Sequence, residues 1–535
     1  LRSVVAASRT RHGDERAGGA VAEAAIMGQN AAHMRKPETV GELTKSGWRS
    51  RSVKDEMREN LIARVREGEA IFPGVIGYDD TVIPQIVNAI LSRHDFILLG
   101  LRGQAKTRIL RALSSLLDEE IPAVAGCEIN DDPLNPVCEP CRKRAALERD
   151  ALRITWIARE DRYREKLATP DVTIADLIGD IDPIKAATRK LSFADPEVVH
   201  YGIIPRSNRG IFAINELPDL QARIQVGLLN ILEEGDVQIR GFPVRLPLDI
   251  ALVFSANPED YTNRGSIITP LRDRISSQIL THYPRTLEDG MAITAQEAWV
   301  ERKESPRVAV PDYLRAAIEE VAVQARASEL VDQNSGVSAR VTIALLENTI
   351  SNAERRSFVA REDATVARIS DVDAGSSAVT GKIELVYEGE REGVASVARH
   401  LIGKAAKAVF DRTFPDAYQP GEQPGAGEGE FQPVVGWFQN GRSIDLSDEL
   451  SDRDLEKKLG EITGLRALAA KYLAAKTTSE LAAGMEFVLE GLHQSALLAK
   501  HDVVGGRVFK DMFEDMVRGL KKPSDKPRPP RSKER

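Results

Sequence analysis

Long apolar runs are the first thing missing from these 535 residues. No stretch approaches the roughly 18 consecutive apolar residues that a membrane helix needs, and the beginning lacks the charged, apolar, small-residue order of a secretory signal. A soluble protein is expected, with no membrane span and the cytoplasm as its default location. Cysteine is scarce: Cys127, Cys138 and Cys141 are the only three, too few and odd in number for a disulfide framework. Positive charge is in the minority, 73 Lys and Arg against 81 Asp and Glu. The formal net charge of -8 argues against a general polyanion-binding surface, so no nucleic-acid partner is expected. Internal repeats are absent.

What the sequence does hold is 42% hydrophobic residues, enough to bury several cores, and its length alone suggests about three or four domains. Residues 1–50 read as a loose extension rich in Ala, Gly and Arg, with Met34 as a candidate start. Helical spacing begins in "SVKDEMRENLIARVREGEA" and stops at Pro73-Gly74. From there to 285, β-rich bursts ("FILLG", "GIFAI", "IALVFSA") alternate with helical stretches, which predicts an α/β domain over 51–285 built on a mostly parallel sheet. Residues 286–360 read as consecutive helices. A mixed α+β region is predicted for 361–520: strands in "GKIELVYEGE", an amphipathic helix in "VASVARHLIGKAAKAVF", a flexible loop in "YQPGEQPGAGEGEFQP", and an Ala/Leu-rich helical stretch from about 453. Residues 521–535 read as a disordered basic tail.

Chemistry concentrates at the ends of the β-rich bursts. Phe96 to Leu99 run into "GLRGQAKT", residues 100–107, and a helical pattern follows with Ile109, Leu110, Leu113, Leu116 and Leu117 on one side. That is the context of a phosphate-binding loop. Backbone N–H groups from Gly100 through Gly103, Gln104 and Ala105 to Arg108 can close around phosphates, Lys106 can reach the terminal ones, and the Thr107 hydroxyl can coordinate magnesium. Ala105 stands where this pattern usually has glycine, which is tolerable if its dihedrals lie where a Cβ fits. In the second burst, Ile211 to Ile214 end in Asn215 and Glu216, where ligands of open α/β sheets sit. Glu216 suits a carboxylate that orients or deprotonates water. Asn215 occupies the place of a magnesium-linked aspartate and offers an oxygen without the charge. The third burst puts Asn257 just past a strand, where its amide can polarise a γ-phosphate and a water. Arg274, in "PLRDRI", suits a guanidinium reaching the nucleotide of a neighbouring subunit, and Arg340, near a helix start in "VSARVTIALLENTISNAERR", suits a phosphate contact. Taken singly, each has a plain alternative: a glycine turn, a strand-end cap, an Asn-Pro turn, a surface ion pair, a surface arginine.

In this order and spacing the segments resemble the AAA+ ATPases of the magnesium-chelatase I-subunit and MoxR clade, over about residues 55–360. "GLRGQAKT" is similar to a loop variant common in that clade, "YGIIPRSNRGIFAINELPDL" to its Walker B segment, "VFSANPED" to its sensor-1 strand, "PLRDRI" to its arginine-finger segment and "VSARVTIALLENTISNAERR" to its sensor-2 helix. The resemblance implies a P-loop AAA+ core of three αβα layers, a helical lid over 286–360, and the mixed region beyond. It implies ATP and magnesium as cofactors, with Lys106 and Thr107 in Walker A, Glu216 in Walker B, Asn257 as sensor 1, Arg274 as a finger acting in trans and Arg340 as sensor 2. "FPGVIGYDD" looks like the adenine-packing segment, with Val75 and Ile76 as contacts. Hydrolysis at subunit interfaces of a hexameric ring, remodelling of a partner or metal-chelatase-type assembly, and a partner carrying a von Willebrand factor A domain follow by the same analogy. Because Asn215 replaces the Walker B aspartate, an ATP-binding ring scaffold with weak hydrolysis is the alternative. The chain after 360 departs from the compact end expected of a chelatase I subunit, so a role in chlorophyll synthesis does not carry over. A sigma-54-type activator is disfavoured by the absence of a G-A-F-T-G-A loop and of a C-terminal helix-turn-helix.

The cysteines stand apart, in "GCEINDDPLNPVCEPCRKR". Cys138 and Cys141 have a spacing seen in zinc sites, but a structural site wants four ligands, and neither a second C-x-x-C nor a local histidine is present. They read as ordinary reduced thiols.

Overall fold

The computed structural model describes residues 36–190, 198–239, 245–257, 266–303, 306–415 and 429–512. Residues 1–35 with Met34, most of the Gly/Pro/Glu loop and the 521–535 tail lie outside the described residues. The chain divides into two compact units, Leu1–His282 and Tyr283–Arg535.

The first unit is built on five strands: β1 (Phe96–Leu99), β4 (Tyr163–Leu167), β7 (Gly210–Asn215), β10 (Ile250–Ala256) and β11 (Ser277–Leu280). The smaller strands between them are β2 (Glu120–Val124), β3 (Ile154–Ala158), β5 (Gly179–Ile181), β6 (Val199–Tyr201), β8 (Asp236–Gln238) and β9 (Arg245–Pro247). The sheet order is β11-β1-β10-β7-β4, and every neighbouring pair is parallel. The continuous apolar runs have their cause here: β7 and β10 are buried along their whole length, because both sheet faces are covered. Successive side chains alternate between the two cores. Ile211, Ala213, Ala251 and Val253 pack with Phe96, Leu98 and the helix Val82–Leu91 on one face, while Phe212, Ile214, Leu252 and Phe254 pack with Leu217, Ile224 and Leu228 on the other. The result is the three-layer αβα core with a parallel sheet. The edge strands β4 and β11 escaped the sequence reading because "YREKL" and "SQIL" are polar and half-exposed, with only one neighbour each.

Residues 36–50 correct the expected loose extension. Thr39 caps the helix Val40–Lys45, Leu43 is fully buried, the amide of Val40 donates to the Leu152 carbonyl at 3.0 Å, and the ring of Trp48 sets its edge against Trp156 at 5.7 Å.

The second unit begins with the helices Leu287–Glu297, Asp312–Ala327 and Arg340–Ala360. The boundary read at 360 does not follow the packing, since one hydrophobic core runs from Val310 through Leu345, Leu401 and Phe438 to Phe509. Its tightest approach is between the helices Val394–Thr413 and Thr478–Gln494, where a Cβ on Gly491 would stand 2.1 Å from Phe410, so only glycine fits. Two local readings fail. "GKIELVYEGE" is not a strand: beyond a single bridge between Val331 and Leu385 it folds into the helix Tyr387–Glu392. The helical stretch read to 520 stops at Gln494, and Leu498–Val503 pairs with Gly506–Asp511 as an antiparallel hairpin, turned at Gly505 with φ +77°. There β-branched residues flank a glycine turn, and the Ala/Leu composition upstream masked that local signal. No helix among the described residues is long and apolar enough to cross a membrane.

Candidate functional site

The loop Gly100–Thr107 leaves β1 and enters the helix Lys106–Ala112. It is fixed on both sides. The amide of Gly100 donates to the Ala256 carbonyl of the neighbouring β10 at 3.2 Å, and the Thr281 hydroxyl, just past β11, donates to Gln104 Oε1 at 2.7 Å. The Tyr78 hydroxyl meets the carbonyls of Gln104 at 3.0 Å and His282 at 2.7 Å, with its ring edge-on to the His282 imidazole. These straps hold the loop's shape without using its outward N–H groups. The sequence reading missed Thr281, His282 and Tyr78, whose signal would have been polar residues at the ends of the strand and turn flanking the loop.

Lys106 is 7% exposed, and its ammonium donates to the carbonyls of Gly100 and, at 3.0 Å, Leu101. A buried cation is thus held over the loop itself. Gly103 has φ +75°, and Ala105 has φ +57° and ψ +13°. The condition set for Ala105 is therefore not met: its backbone lies in the left-handed region that favours glycine, where a Cβ costs about 1–2 kcal/mol. Thr107 is partly exposed, and Gly103, Ala105 and Arg108 are exposed. Val75 and Ile76 are half-buried in a turn bounded by Gly74 and Gly77, both with positive φ, and Val75 packs on the core beneath the sheet.

The strand ends that follow are joined by a residue the sequence reading passed over. Ser255, buried near the end of β10, donates its hydroxyl to Asn215 Oδ1 at 3.0 Å and accepts the amide of Glu216 at 3.4 Å. Because β10 lies between β1 and β7, this serine ties the end of β7 to the strand beside the loop. Glu216 sits at φ +55°, where the backbone turns sharply out of the strand line into the short helix Leu217–Asp219. Asn257 is 5% exposed, and its Oδ1 is buried with no hydrogen-bond partner among the described residues. Such a group costs free energy in the folded chain and is what an acceptor poised for a ligand or water looks like.

Arg274 ends the helix Thr269–Arg274 and is paired with Glu233 at 2.5–2.7 Å, with a further bond to the Pro270 carbonyl at 3.1 Å. Within one chain, then, it sits in the ion pair that was its plain alternative. Arg340 is exposed at the first position of the helix Arg340–Ala360 and belongs to the second unit.

No family model matches the chain. Among curated proteins, the magnesium-chelatase 38 kDa subunit of Cereibacter sphaeroides is 28% identical over 233 residues, 43% of this chain and 64% of that protein. The same subunit of Rhodobacter capsulatus is 25% identical over 226 residues, 41% of this chain and 57% of that protein. The chain is thus similar, over part of its length, to the magnesium-chelatase I subunit. It spans less than two thirds of the length of those relatives. A solved structure of the complex between subunits BchI and BchD of magnesium chelatase is 19% identical, covering 60% of this chain and 98% of that one at a TM-score of 0.32.

Proposed function

We propose that this AAA+ module binds ATP with magnesium at the C-terminal edge of its parallel sheet and hydrolyses it. The observation that carries the reading is Ser255, which holds Asn215 and the Glu216 backbone next to the strand that carries the loop. The donor set suits a nucleotide triphosphate: a buried ammonium at Lys106, a hydroxyl at Thr107, a neutral oxygen at Asn215, and an amide at Asn257 with acceptor capacity to spare. In this reading the backbone from Gly100 through Gly103, Gln104 and Ala105 to Arg108 holds phosphates, Lys106 the terminal ones, and Val75 and Ile76 the base. Thr107 and Asn215 hold magnesium, which supplies charge neutralisation on the phosphates. Glu216 orients a water and takes its proton, and Asn257 fixes that water.

Arg274 exchanges Glu233 for the nucleotide of a neighbouring subunit, which calls for a ring, hexameric by analogy with the clade. Arg340 serves as sensor 2 by the same analogy. Strain from hydrolysis then passes to a partner, through remodelling or a metal-chelatase-type assembly, with a von Willebrand factor A protein as the partner the analogy offers.

A second reading has its own support. Asn215 brings no charge to the metal, so a ring scaffold that binds ATP and turns it over weakly fits the same site. Turnover and ATP binding of the purified chain and of Glu216→Gln separate the readings. The enzyme predicts measurable turnover that falls about 100- to 1000-fold in the variant with ATP binding kept. Binding without turnover in the unaltered chain favours the scaffold. Failure to bind magnesium-ATP overturns both.

A further inference from the structure

Away from the nucleotide edge, the connection between β2 and β3 forms a small body of its own. Residues 125–138 make an irregular loop, the helix Glu139–Glu148 follows, and β2 and β3 pair antiparallel at its base. Among the described residues its buried core is small: Val124, Ile129, Leu152, Cys138 and Cys141, with Val40, Val137, Ala145 and Tyr201 packed half-buried against it. So small an apolar cluster stabilises a fold weakly, and bodies of this kind are usually stapled.

The loop folds the fourth ligand into place. Asn130, at φ +55°, turns the chain back so that Asp131 joins Cys127, Cys138 and Cys141, and one ligand atom from each of the four lies within 4.8 Å of the others. Asp131 is completely buried. Its Oδ2 accepts the amide of Cys138 at 2.9 Å, while its Oδ1 has no hydrogen-bond partner among the described residues. Two sulfurs accept backbone amides, Cys127 Sγ from Asp131 and Cys138 Sγ from Cys141, each at 3.4 Å, which orients them. Lys143, Arg144 and Lys185 line the same cavity of about 370 Å3 together with Glu128, which pairs with Lys185 at 3.2 Å. The reading of plain reduced thiols rested on a missing fourth ligand, and the fold supplies it from a residue type that carries no motif.

We propose that Cys127, Asp131, Cys138 and Cys141 bind a single zinc ion that staples this insertion. Three thiolates and one carboxylate make a soft donor set that selects zinc and rejects magnesium or calcium. With Zn–S bonds of about 2.3 Å, the edges of a tetrahedron are about 3.8 Å, so four atoms already within 4.8 Å close on one ion with small movements. An iron–sulfur cluster holds its ligands farther apart. A disulfide would leave one thiol over and would not answer the buried Oδ1, whereas a dication does so directly.

The staple reaches past the insertion. The Ile129 carbonyl accepts from Asn208 Nδ2 at 3.1 Å and Asn130 Nδ2 donates to the Arg206 carbonyl at 3.3 Å, just before β7 begins. The metal loop therefore braces the chain leading into the strand that ends in Asn215 and Glu216.

The test uses the full chain, purified without an affinity histidine tract, under reducing conditions and without chelator. Elemental analysis is expected to give about one zinc per chain. Replacement by Co2+ is expected to give tetrahedral d–d bands and a thiolate-to-cobalt charge-transfer band. Cys138→Ser should lose the ion. Because that variant can also fail to fold, Asp131→Cys is the sharper test: it should keep one ion and raise the charge-transfer intensity by about a third, as three thiolates become four. Loss of zinc to a chelator should speed amide exchange in 125–153 and 203–210 while the other first-unit strands hold. A folded chain that carries no zinc and gives no charge-transfer band on anaerobic Co2+ titration overturns the proposal. So does zinc retained in full by Cys138→Ser, or iron with inorganic sulfide in its place.

Discussion

In the first unit, the polar groups that carry the functional reading stand at one edge of a parallel sheet, where Lys106, Asn215, Glu216 and Asn257 follow strand or loop ends. In the second, the prominent buried charges lie inside and answer one another. Arg356, 2% exposed, donates to Asp452 at 2.9 Å, to Asp371 at 3.1 Å and to the Val366 carbonyl at 2.9 Å, and Arg368 adds a bond to Asp452 at 2.6 Å. The difference separates two uses of a buried polar residue. At the sheet edge, acceptor capacity at Asn257 Oδ1 is left over among the described residues, whereas around Arg356 most of it is taken up in positioning helices, with Arg356 Nε and Glu362 Oε2 the exceptions. The largest expected effect breaks the second arrangement: Arg356→Met leaves two buried carboxylates facing each other without their shared cation. A loss of about 3–5 kcal/mol in urea unfolding of the full chain is expected. Amide exchange should speed in 340–380, while the parallel strands of the first unit keep their protection. An unchanged unfolding curve would mean that the network contributes no net stability.

That contrast also explains what could be read from residues alone. The phosphate loop, the two all-buried strands and their terminal Asn and Glu are local patterns: a glycine-bearing turn between an apolar burst and a helical period, and polar residues at burst ends. The partners that complete the site are not local. Ser255 matters because β10 happens to lie between β1 and β7, and Thr281 because β11 flanks β1, facts of strand order that no single segment encodes. Asp131 was invisible for the same reason, since only the turn at Asn130 makes it a neighbour of the cysteines. The Arg356 network joins residues up to 96 positions apart. In the second unit, where local composition was the only guide, the hairpin Leu498–Asp511 and the helix Tyr387–Glu392 were both misread.

Two buried carboxylates, one from each unit, are expected to answer acid with opposite signs. Asp249, before β10, is pushed up to about 6 by burial, even though the amide of Val53 donates to it at 2.8–3.1 Å and Arg209 lies near. A folded-state value above the unfolded one of about 3.9 means that the ionised group costs stability above pH 6, about 3 kcal/mol, and that this cost disappears as pH falls toward 4. Burial would likewise raise Asp452, but the guanidiniums of Arg368 and Arg356 hold it below the usual carboxylate range, so its contribution is present near neutrality and is lost as pH falls. Asp249→Asn should therefore gain stability over the unaltered chain at pH 7.5, by up to about 3 kcal/mol, and lose that advantage at pH 4.5. Equal offsets at both pH values in urea unfolding would show that Asp249 is ionised throughout.

At the sheet edge, Asn215→Asp restores the missing charge without changing shape. If the magnesium ion sits between Thr107 and residue 215, the carboxylate should tighten the apparent magnesium dependence of ATP binding about tenfold, roughly 1.4 kcal/mol, and raise turnover. The Ser255 hydroxyl remains able to donate to the new oxygen, so the strand end should keep its place. A variant that binds ATP as before with the same magnesium requirement would move the ion away from residue 215 and strengthen the scaffold reading.

The smallest effect concerns Ala105, where stability and function can be weighed at one methyl. At φ +57° the side chain costs about 1–2 kcal/mol in the folded loop. Ala105→Gly removes that cost but frees the unfolded chain, which takes back about 0.5–1 kcal/mol. The net stability change is thus expected to be at most about 1.5 kcal/mol in favour of glycine, with ATP affinity unchanged or slightly higher. Ala105→Val tests the same geometry from the other side, because a β-branched residue in the left-handed region is a true outlier and should weaken ATP binding well beyond the glycine effect. If valine and glycine behave alike in calorimetric titration with magnesium-ATP, the loop does not keep this backbone when it grips phosphate, and Lys106 must leave the Gly100 and Leu101 carbonyls through a different rearrangement of the turn.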